Sequence, residues 1–385
     1  MAVEANSTAM PPDATGADPN QIKQDEPKVM VASQWQLMWW RFKKHKVAMF
    51  SGVVVILIYM VALFVEFLAP FPSTMYASTY TYAPPQWLHF IDDGDFKPFV
   101  YGYKVEVDPV ALRREFVIDQ EVKHYVEFFV EGADYKLLGL IPMNIHLFGP
   151  VNPEDPMYLF GADRLGRDVL SRMIYGTRIS MSIGLVGVAL SFVLGIVLGG
   201  ISGYDGGTVD NVIQRLIEFI RSVPTIPLWL GLAAALPPDW GPLQIYFGIT
   251  VILSVIGWTG LARVVRGKFL SLREEDFVMA ARLDGAPKMN IIIRHMVPSF
   301  MSHIIASLTL AIPGMILAET SLSFLGLGLR PPVVSWGVLL QEAQNVRAVA
   351  TAPWLLWPAI PVVIAVLVLN FFGDGLRDAA DPYSR

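Results

Sequence analysis

A run of 24 residues without a single charge, Ile179–Ser202, constrains the fold more than any other feature of this chain. An α-helix needs about 20 apolar residues to cross roughly 30 Å of hydrocarbon, and this run supplies them. Val47–Ala69 is a second such run, 23 residues with one charge, Glu66, near its end. Leu243–Leu261 and Trp354–Phe372 are 19 residues each and uncharged. Ser302–Ala318 has 17, is interrupted by Pro313-Gly314, and reaches full length with Leu322–Leu325 beyond Glu319. The weakest, Ser222–Leu236, has 15 and carries Pro224 and Pro227, so that span would begin nearer Asn211, with the prolines breaking the helix. A cleaved signal peptide does not suit the first run, because its apolar core is too long and 46 residues that begin acidic and polar precede it. The expectation is an all-α polytopic membrane protein of six spans, over 47–69 and about 179–202, 212–236, 243–262, 302–325 and 354–373.

Composition agrees. Hydrophobic residues make up 54% and charged residues 16%, with a mean hydropathy of +0.47; a soluble domain carries about 25% charge. The lipid bilayer is therefore the solvent this chain expects. Net charge is −5 and no basic stretch exceeds Arg41–Lys46, which argues against nucleic acid as a partner. The absence of cysteine excludes a disulfide framework, a thiol nucleophile and a thiolate-bound metal.

No standard catalytic constellation is present. Gly267-Lys268 is followed by Phe269, with Ala262 where a phosphate-binding loop needs its first glycine. There is no HExxH or GxSxG, and the six histidines show no metal spacing. The expectation is no catalytic residue, no metal and no cofactor held by this chain.

An even number of spans puts both termini on one side. Arg41, Lys43, Lys44 and Lys46 precede the first span, and Arg263, Arg266, Lys268, Arg273, Arg282, Lys288 and Arg294 crowd the loop 263–300. The opposite loop, Glu319–Pro353, holds only Arg330 and Arg347. Positive-inside counting places the termini and the 263–300 loop in the cytoplasm. Residues 1–46 would be a disordered cytoplasmic tail with a basic flank, and 379–385 a short cytoplasmic tail. Segment 70–175 falls outside; its short β-branched and aromatic stretches near Pro84–Pro150, punctuated by Pro, Gly and Asp, predict a small β-rich extracytoplasmic insert.

Within the second span Gly187, Ser191, Gly195, Gly199 and Gly203 recur every four residues, a face that lets another helix approach closely. Glu319 lies where the fifth span nears the outer surface, placed either for an interhelical hydrogen bond or to line a path. In the polar loop, Glu274, Glu275 and Asp276 favour a helix start, Phe277–Leu283 a short helix, and Gly285 with Pro287 its stop. A second amphipathic piece runs over Ile291–Met296.

That loop resembles the EAA motif of ABC importer permeases, two alanines with a glycine four residues after the second: Ala280, Ala281 and Gly285. Further segments are similar to the OppC/DppC-type subunit of the oligopeptide/dipeptide/nickel permeases. They are GADRLGRDVLSRMIYGTRISMSIGL (Gly161–Leu185), SGYDGGTVDNVIQR (Ser202–Arg215), ETSLSFLGLGLRPPVVSWG (Glu319–Gly337) and NFFGDGLRDAADP (Asn370–Pro382). The resemblance implies a type I ABC importer permease fold, with 176–378 as the permease transmembrane domain, in the inner membrane of a bacterial cell. It also implies a homologous second permease, two ATPase subunits that bind the ATP and Mg, and an extracytoplasmic solute-binding protein. Phe277, Ala280, Ala281, Leu283 and Gly285 would form the helix and turn that dock in an ATPase groove. Met279 stands where the motif has glutamate, and the 70–175 insert exceeds that of short members, so a platform for the binding protein is its implied use. Peptides are the implied solute, with oligosaccharides or nickel as alternatives. A stand-alone carrier would need ionisable residues around a cavity and inverted repeats; a receptor would need a signalling domain, where only 13 residues follow Phe372.

Overall fold

The computed structural model describes residues 33–380 except 108 and 110–113, so residues 1–32 of the tail expected over 1–46 and the last five residues of the C-terminal one fall outside the described residues; the described part of that expected disordered tail is mostly helix. Helix α1 (Gln34–Lys44) opens on a capping box between Ser33 and Gln36. The first long apolar helix, α2 (Lys46–Leu63), breaks at Phe64 into the single turn α3 (Val65–Leu68). Strands β1 (His89–Asp92), β2 (Asp95–Val107), β3 (Arg114–Leu137) and β4 (Ile141–Pro150) follow in an antiparallel sheet of order β1-β2-β3-β4. Helix α4 (Val169–Asp205) starts where the Asp168 carboxylate accepts from the Ser171 amide at 2.7 Å and stops at Gly206, φ +64°.

Helices α5 (Gly207–Ser222) and α6 (Thr225–Ala234) meet at an angle of 87°. The cause is local: Val223 precedes a proline, which pushes it out of the helical region (ψ 132°). Beyond them lie α7 (Pro242–Leu272), α8 (Asp276–Leu283), α9 (Met301–Phe324), α10 (Trp336–Gln341), α11 (Val346–Thr351) and α12 (Ala359–Ala380). Among the described residues five helical stretches are long and apolar enough to cross a membrane: Lys46–Leu63, Val169–Asp205, Pro242–Leu272, Met301–Phe324 and Pro353–Ala380. The stretch expected as the third span is the bent α5–α6 pair, broken at Val223-Pro224 as its prolines predicted.

Two boundaries move outward from the apolar runs. Helix α4 begins ten residues before Ile179, and α7 continues through Arg263, Arg266 and Lys268 to Leu272. Hydropathy marks only the stretch fit for hydrocarbon, whereas Arg and Lys are good helix formers that extend a helix past the bilayer. The polar loop is accordingly shorter than 263–300.

Pairings along the helices give their directions. Positions 187, 195, 199 and 203 of α4 face 254, 261, 262 and 266–269 of α7, so these two run parallel. The segment 207–241 therefore carries the chain from one end of the bundle back to the other. Helix α9 runs against α4, with Ile316 at Gly184 and Met315 at Gly187, and α12 runs against α9 and α2, with Gly373 at Leu310 and Gly375 at Ala48. The start of α2 and the end of α12 share one face of the bundle. The sheet occupies the other, where the Phe71 amide donates to Ser171 Oγ at 3.1 Å and His146 Nδ1 lies 2.7 Å from the Ala69 carbonyl oxygen. One core cluster, around Ile183, Ile249, Leu253, Met315 and Leu322, joins α4, α7 and α9. A second, around Phe269, Val278, Ile291, Met296 and Ile304, lies at the face away from the sheet.

Candidate functional site: a surface helix and the contacts behind it

Helix α8 is short, so its ends decide its shape. Asp276 sits in its first turn, where a negative charge suits the helix dipole. At its other end Gly285 takes φ +72°, its amide bonds the Arg282 carbonyl at 3.0 Å, and the Ala286 amide bonds that of Ala281 at 3.1 Å. That pair of bonds is a Schellman motif, and it needs a residue comfortable in the left-handed region.

The helix has two unlike faces. Val278 and Ala281 are buried against Phe269, Ile291, Ile292 and Met296. Phe277, Met279, Ala280 and Leu283 are exposed, Leu283 at 87%. Of the five residues expected to dock, Phe277, Ala280, Leu283 and Gly285 are thus on or beside the open surface, while Ala281 faces the core. Met279, in the glutamate position, also points outward. The stretch Ile291–Met296 is a wide helical turn with Val297 N–H reaching back to the Ile292 carbonyl; it presents Ile291, Ile292 and Met296 to α8.

Polar contacts tie α8 to the end of α4. Arg282 Nε donates to the Tyr204 hydroxyl at 3.0 Å, and its guanidinium lies 4.6 Å from that ring's centre. Lys288 pairs with Asp205. Beneath them Arg266 on α7 holds Asp210 on α5 through two bonds of 2.5 Å, and Gln214 Nε2 donates to Ser202 Oγ at 3.1 Å. Sequence reasoning missed these partners. The available signal was the position of Tyr204, Asp205, Asp210 and Arg266 just outside two apolar runs.

Behind the clamp lies the stripe of small residues. An added Cβ at Gly199 would meet the Ala262 carbonyl oxygen at 2.5 Å, and one at Gly203 the Arg266 oxygen at 2.7 Å. At Gly195 it would meet Leu261 at 2.9 Å and at Gly187 Met315 at 3.4 Å. Ser191 Oγ donates to the Ser254 carbonyl at 3.3 Å, and Ser254 Oγ donates to that of Gly187 at 3.0 Å. Four of the five expected packing positions therefore face α7, and Gly187 is shared with α9.

Toward the sheet, α4 meets Glu319 of α9, which is fully buried. Glu319 Oε1 accepts from Ser323 Oγ at 2.8 Å and Ser335 Oγ at 2.7 Å, and Oε2 from Ser180 Oγ at 3.4 Å. Ser180 Oγ accepts in turn from the Trp336 amide, and Ser335 Oγ caps α10 through the Val338 amide. Glu319 thus makes the interhelical hydrogen bonds that were one of its two expected uses, joining α4, α9 and α10.

A second buried cluster caps the bundle beside the sheet. Asp163 accepts from Arg167 Nε at 2.7 Å and from the Leu165 and Arg167 amides, and pairs with Arg172. Glu342 accepts from the Arg164 amide at 2.9 Å; burial, with Asp163 nearby, holds its carboxyl above the ordinary range. Asp163, Arg164, Leu165 and Arg167 lie in the GADRLGRD stretch, where no individual role was foreseen, and Arg172 and Glu342 reach them from outside it.

Comparison with known proteins adds to this geometry. The model of the binding-protein-dependent transport system inner membrane component matches residues 195–385, and that of the N-terminal transmembrane domain of oligopeptide transport permease C matches 33–85. The chain is 40% identical over 262 residues to the oligopeptide transport system permease protein OppC of Haemophilus influenzae, covering 68% of this chain and 78% of the relative. It is 32% identical over 358 residues to the dipeptide transport system permease protein DppC of Lactococcus lactis subsp. cremoris, 91% of each chain. A chain from inward-facing crystals of the MetNI methionine ABC transporter aligns with a TM-score of 0.43 at 18% identity, over 55% of this chain and 97% of that one.

Proposed function

The chain belongs to the family of binding-protein-dependent transport system inner membrane components, multi-pass transport subunits without an ATPase site of their own, and from that membership we propose that it serves an ATP-driven importer of peptides. The observation that carries the coupling role is α8: a surface helix whose open face, Phe277, Ala280 and Leu283, is backed by a packed core and clamped to α4. The apolar side chains Phe277 and Leu283, exposed on either side of Ala280, give a groove of another protein surface to bury. Ala281 contributes from behind, setting the depth of α8 against Phe269 and Ile291, and Gly285 sets the turn.

In this reading two ATPase subunits, which bind ATP and Mg, grip this chain and a homologous second permease, one α8-type helix each. Six crossings, with 207–241 as the third, put both termini and α8 in the cytoplasm; the sheet then faces outward, where a solute-binding protein delivers substrate. Closure of the ATPases displaces α8. The Arg282–Tyr204 and Lys288–Asp205 contacts pass that displacement to α4, whose parallel contact with α7 and hydrogen bonds at Glu319 reach the outer end of the bundle. Peptide is the proposed solute because the relatives are named for oligopeptide and dipeptide transport. Oligosaccharide and nickel uptake by the same machinery are outcomes the assay distinguishes.

The test is assembly followed by uptake. Ala280→Glu and Leu283→Asp place charge on the open face of α8 and should abolish co-purification of the ATPase subunits without loss of the folded chain. Labelled di- and oligopeptide uptake by the intact transporter should be competed by unlabelled peptide and not by nickel or oligosaccharide. ATPase subunits that stay bound to both variants, with coupled uptake intact, would refute the docking assignment.

A further inference from the structure

The two hairpins of the sheet end in opposite chemistry. The β1–β2 turn is Asp92, Asp93, Gly94 and Asp95, with Lys97 beside it, a tip made for water. The β3–β4 turn is Leu137, Leu138, Gly139, Leu140 and Ile141, with Leu140 at 80% exposure and Ile141 at 56%. Five consecutive residues without a polar side chain, on the exposed end of an outer domain, would be a liability in water.

Their surroundings say what covers them. Leu137 and Met143 line an apolar groove of about 710 Å³ together with Leu57, Met60, Phe64 and Phe67 of the first span. Leu57 and Met60 belong to the stretch of α2 that faces away from the bundle, both exposed. Leu57 precedes Glu66 by nine residues, roughly two and a half helical turns, and the Glu66–Arg178 pair marks where charge begins at this end of the bundle. One groove thus runs from the hairpin along the outward-facing apolar surface of the span and past that polar level.

The tip has its turn amides paired: Gly139 N–H donates to the Lys136 carbonyl at 2.9 Å and Leu140 N–H to that of Leu137 at 3.0 Å. A polar ring stands just behind it. Tyr135 donates from its hydroxyl to the Ile145 carbonyl at 2.6 Å, and Asp134, Lys136 and Asn144 share a neighbouring hollow. Aromatic and lysine side chains in that place suit the headgroup level, with the lysine stem lying along apolar surface. An open hairpin cannot enter the hydrocarbon centre, because its edge carries unpaired backbone groups.

We propose that the Leu137–Ile141 turn is a lipid anchor: it inserts at the headgroup–acyl boundary of the leaflet on the sheet side and pins the sheet against the first span. This rests on the long helices being bilayer spans and goes beyond the transport role. The anchor fixes the height of the sheet over the bundle, so that a protein meeting the sheet finds it at a set distance from the membrane.

The chain has no cysteine, so single-cysteine variants need no background removal. Leu140→Cys, Leu138→Cys, Val53→Cys on α2 and Lys97→Cys on the charged hairpin are each spin-labelled in the full-length chain. They are reconstituted in nanodiscs of phosphatidylcholine and phosphatidylglycerol, and collision with oxygen and with a water-soluble nickel chelate is measured by power saturation. The label at Leu140 or Leu138 should favour oxygen several-fold over the label at Lys97, as the label at Val53 does. Labels at both tip positions that match Lys97, or that are shielded from both reagents, would overturn the proposal. A nickel-favoured Val53 would instead overturn the assignment of α2 as a span, and the anchor with it.

Discussion

Replacing Gly199 by alanine tests the helix contact through which α8 would act on the rest of the bundle. The new Cβ would stand 2.5 Å from the Ala262 carbonyl oxygen and 2.8 Å from its Cα, where ordinary contact begins at 3.4 Å. Both atoms are backbone, so no rotamer change relieves the clash, and α4 and α7 must part by about 1 Å. Overpacking of this kind costs about 1–3 kcal/mol. Against it stands the better helix propensity of alanine, about 1 kcal/mol over glycine. The two figures leave a loss of about 1–2 kcal/mol, because the obstruction is rigid and belongs to the upper part of the overpacking range. Gly260→Ala is the matched control: it lies on α7, also mid-helix, and its added Cβ meets nothing within 4 Å. That variant should gain from propensity alone. Thermal unfolding of the two purified chains in one lipid or detergent mixture, followed by a tryptophan or fluorescent probe, gives the comparison. Gly199→Ala should melt below the parent and Gly260→Ala at or above it. If the two variants melt together, the close approach of α4 and α7 at this level is wrong, and with it the route by which motion would leave α8.

Three further outcomes follow from the contacts described. Arg282→Ala removes both the hydrogen bond to Tyr204 and the guanidinium over its ring, worth about 0.5–1 kcal/mol at an exposed site; amide exchange should quicken over 276–290 while the α4–α7 contact stays protected. Asp210→Ala combined with Arg266→Ala should cost less than the two single changes added together, with a coupling of about 1–3 kcal/mol in a double-mutant cycle, because each single change strands the partner of a doubly bonded pair. In the sheet, Lys123 and the Tyr125 hydroxyl hold the Asp92 carboxyl below the ordinary carboxylate range. A depressed carboxyl stabilises the folded state above the ordinary carboxylate pKa, and that stability is lost as pH falls through the depressed value. Exchange at β1–β2 should therefore rise on acidification below about pH 4, and Asp92→Asn should remove that dependence.

The legible part of this molecule lies in its apolar runs and its turn residues. Five of the six runs predicted helices that the structure contains, because a stretch with no charge over 17 or more residues has few alternatives in or out of a membrane. Helix α8 was equally readable, since Phe277–Leu283 lies between acids that suit a helix start and a glycine that ends one. The four-residue spacing on α4 foretold a close contact without naming the helix that makes it. Boundaries were less legible: α4 and α7 each run about ten residues past their apolar limits, since hydropathy is silent about helix continued in water. The third run was the poorest guide, because Pro224 breaks it where neither half alone reaches across hydrocarbon.

What the sequence determined on its own is which long stretches call for an apolar solvent, since burial of apolar surface is additive along a chain and needs no knowledge of partners. Which side chains meet is a different matter. That Ala281 faces the core while its neighbour Ala280 faces outward depends on the turn at Ile291–Met296 folding beneath α8. That Glu319 gathers serines from positions 180, 323 and 335 depends on α4, α9 and α10 arriving at one point. The same holds for Leu137 and Leu57, 80 residues apart in sequence and lining one groove in the fold. Contacts of this range are set by the packing of rigid helices and strands against each other, a property of the whole chain that no local window contains.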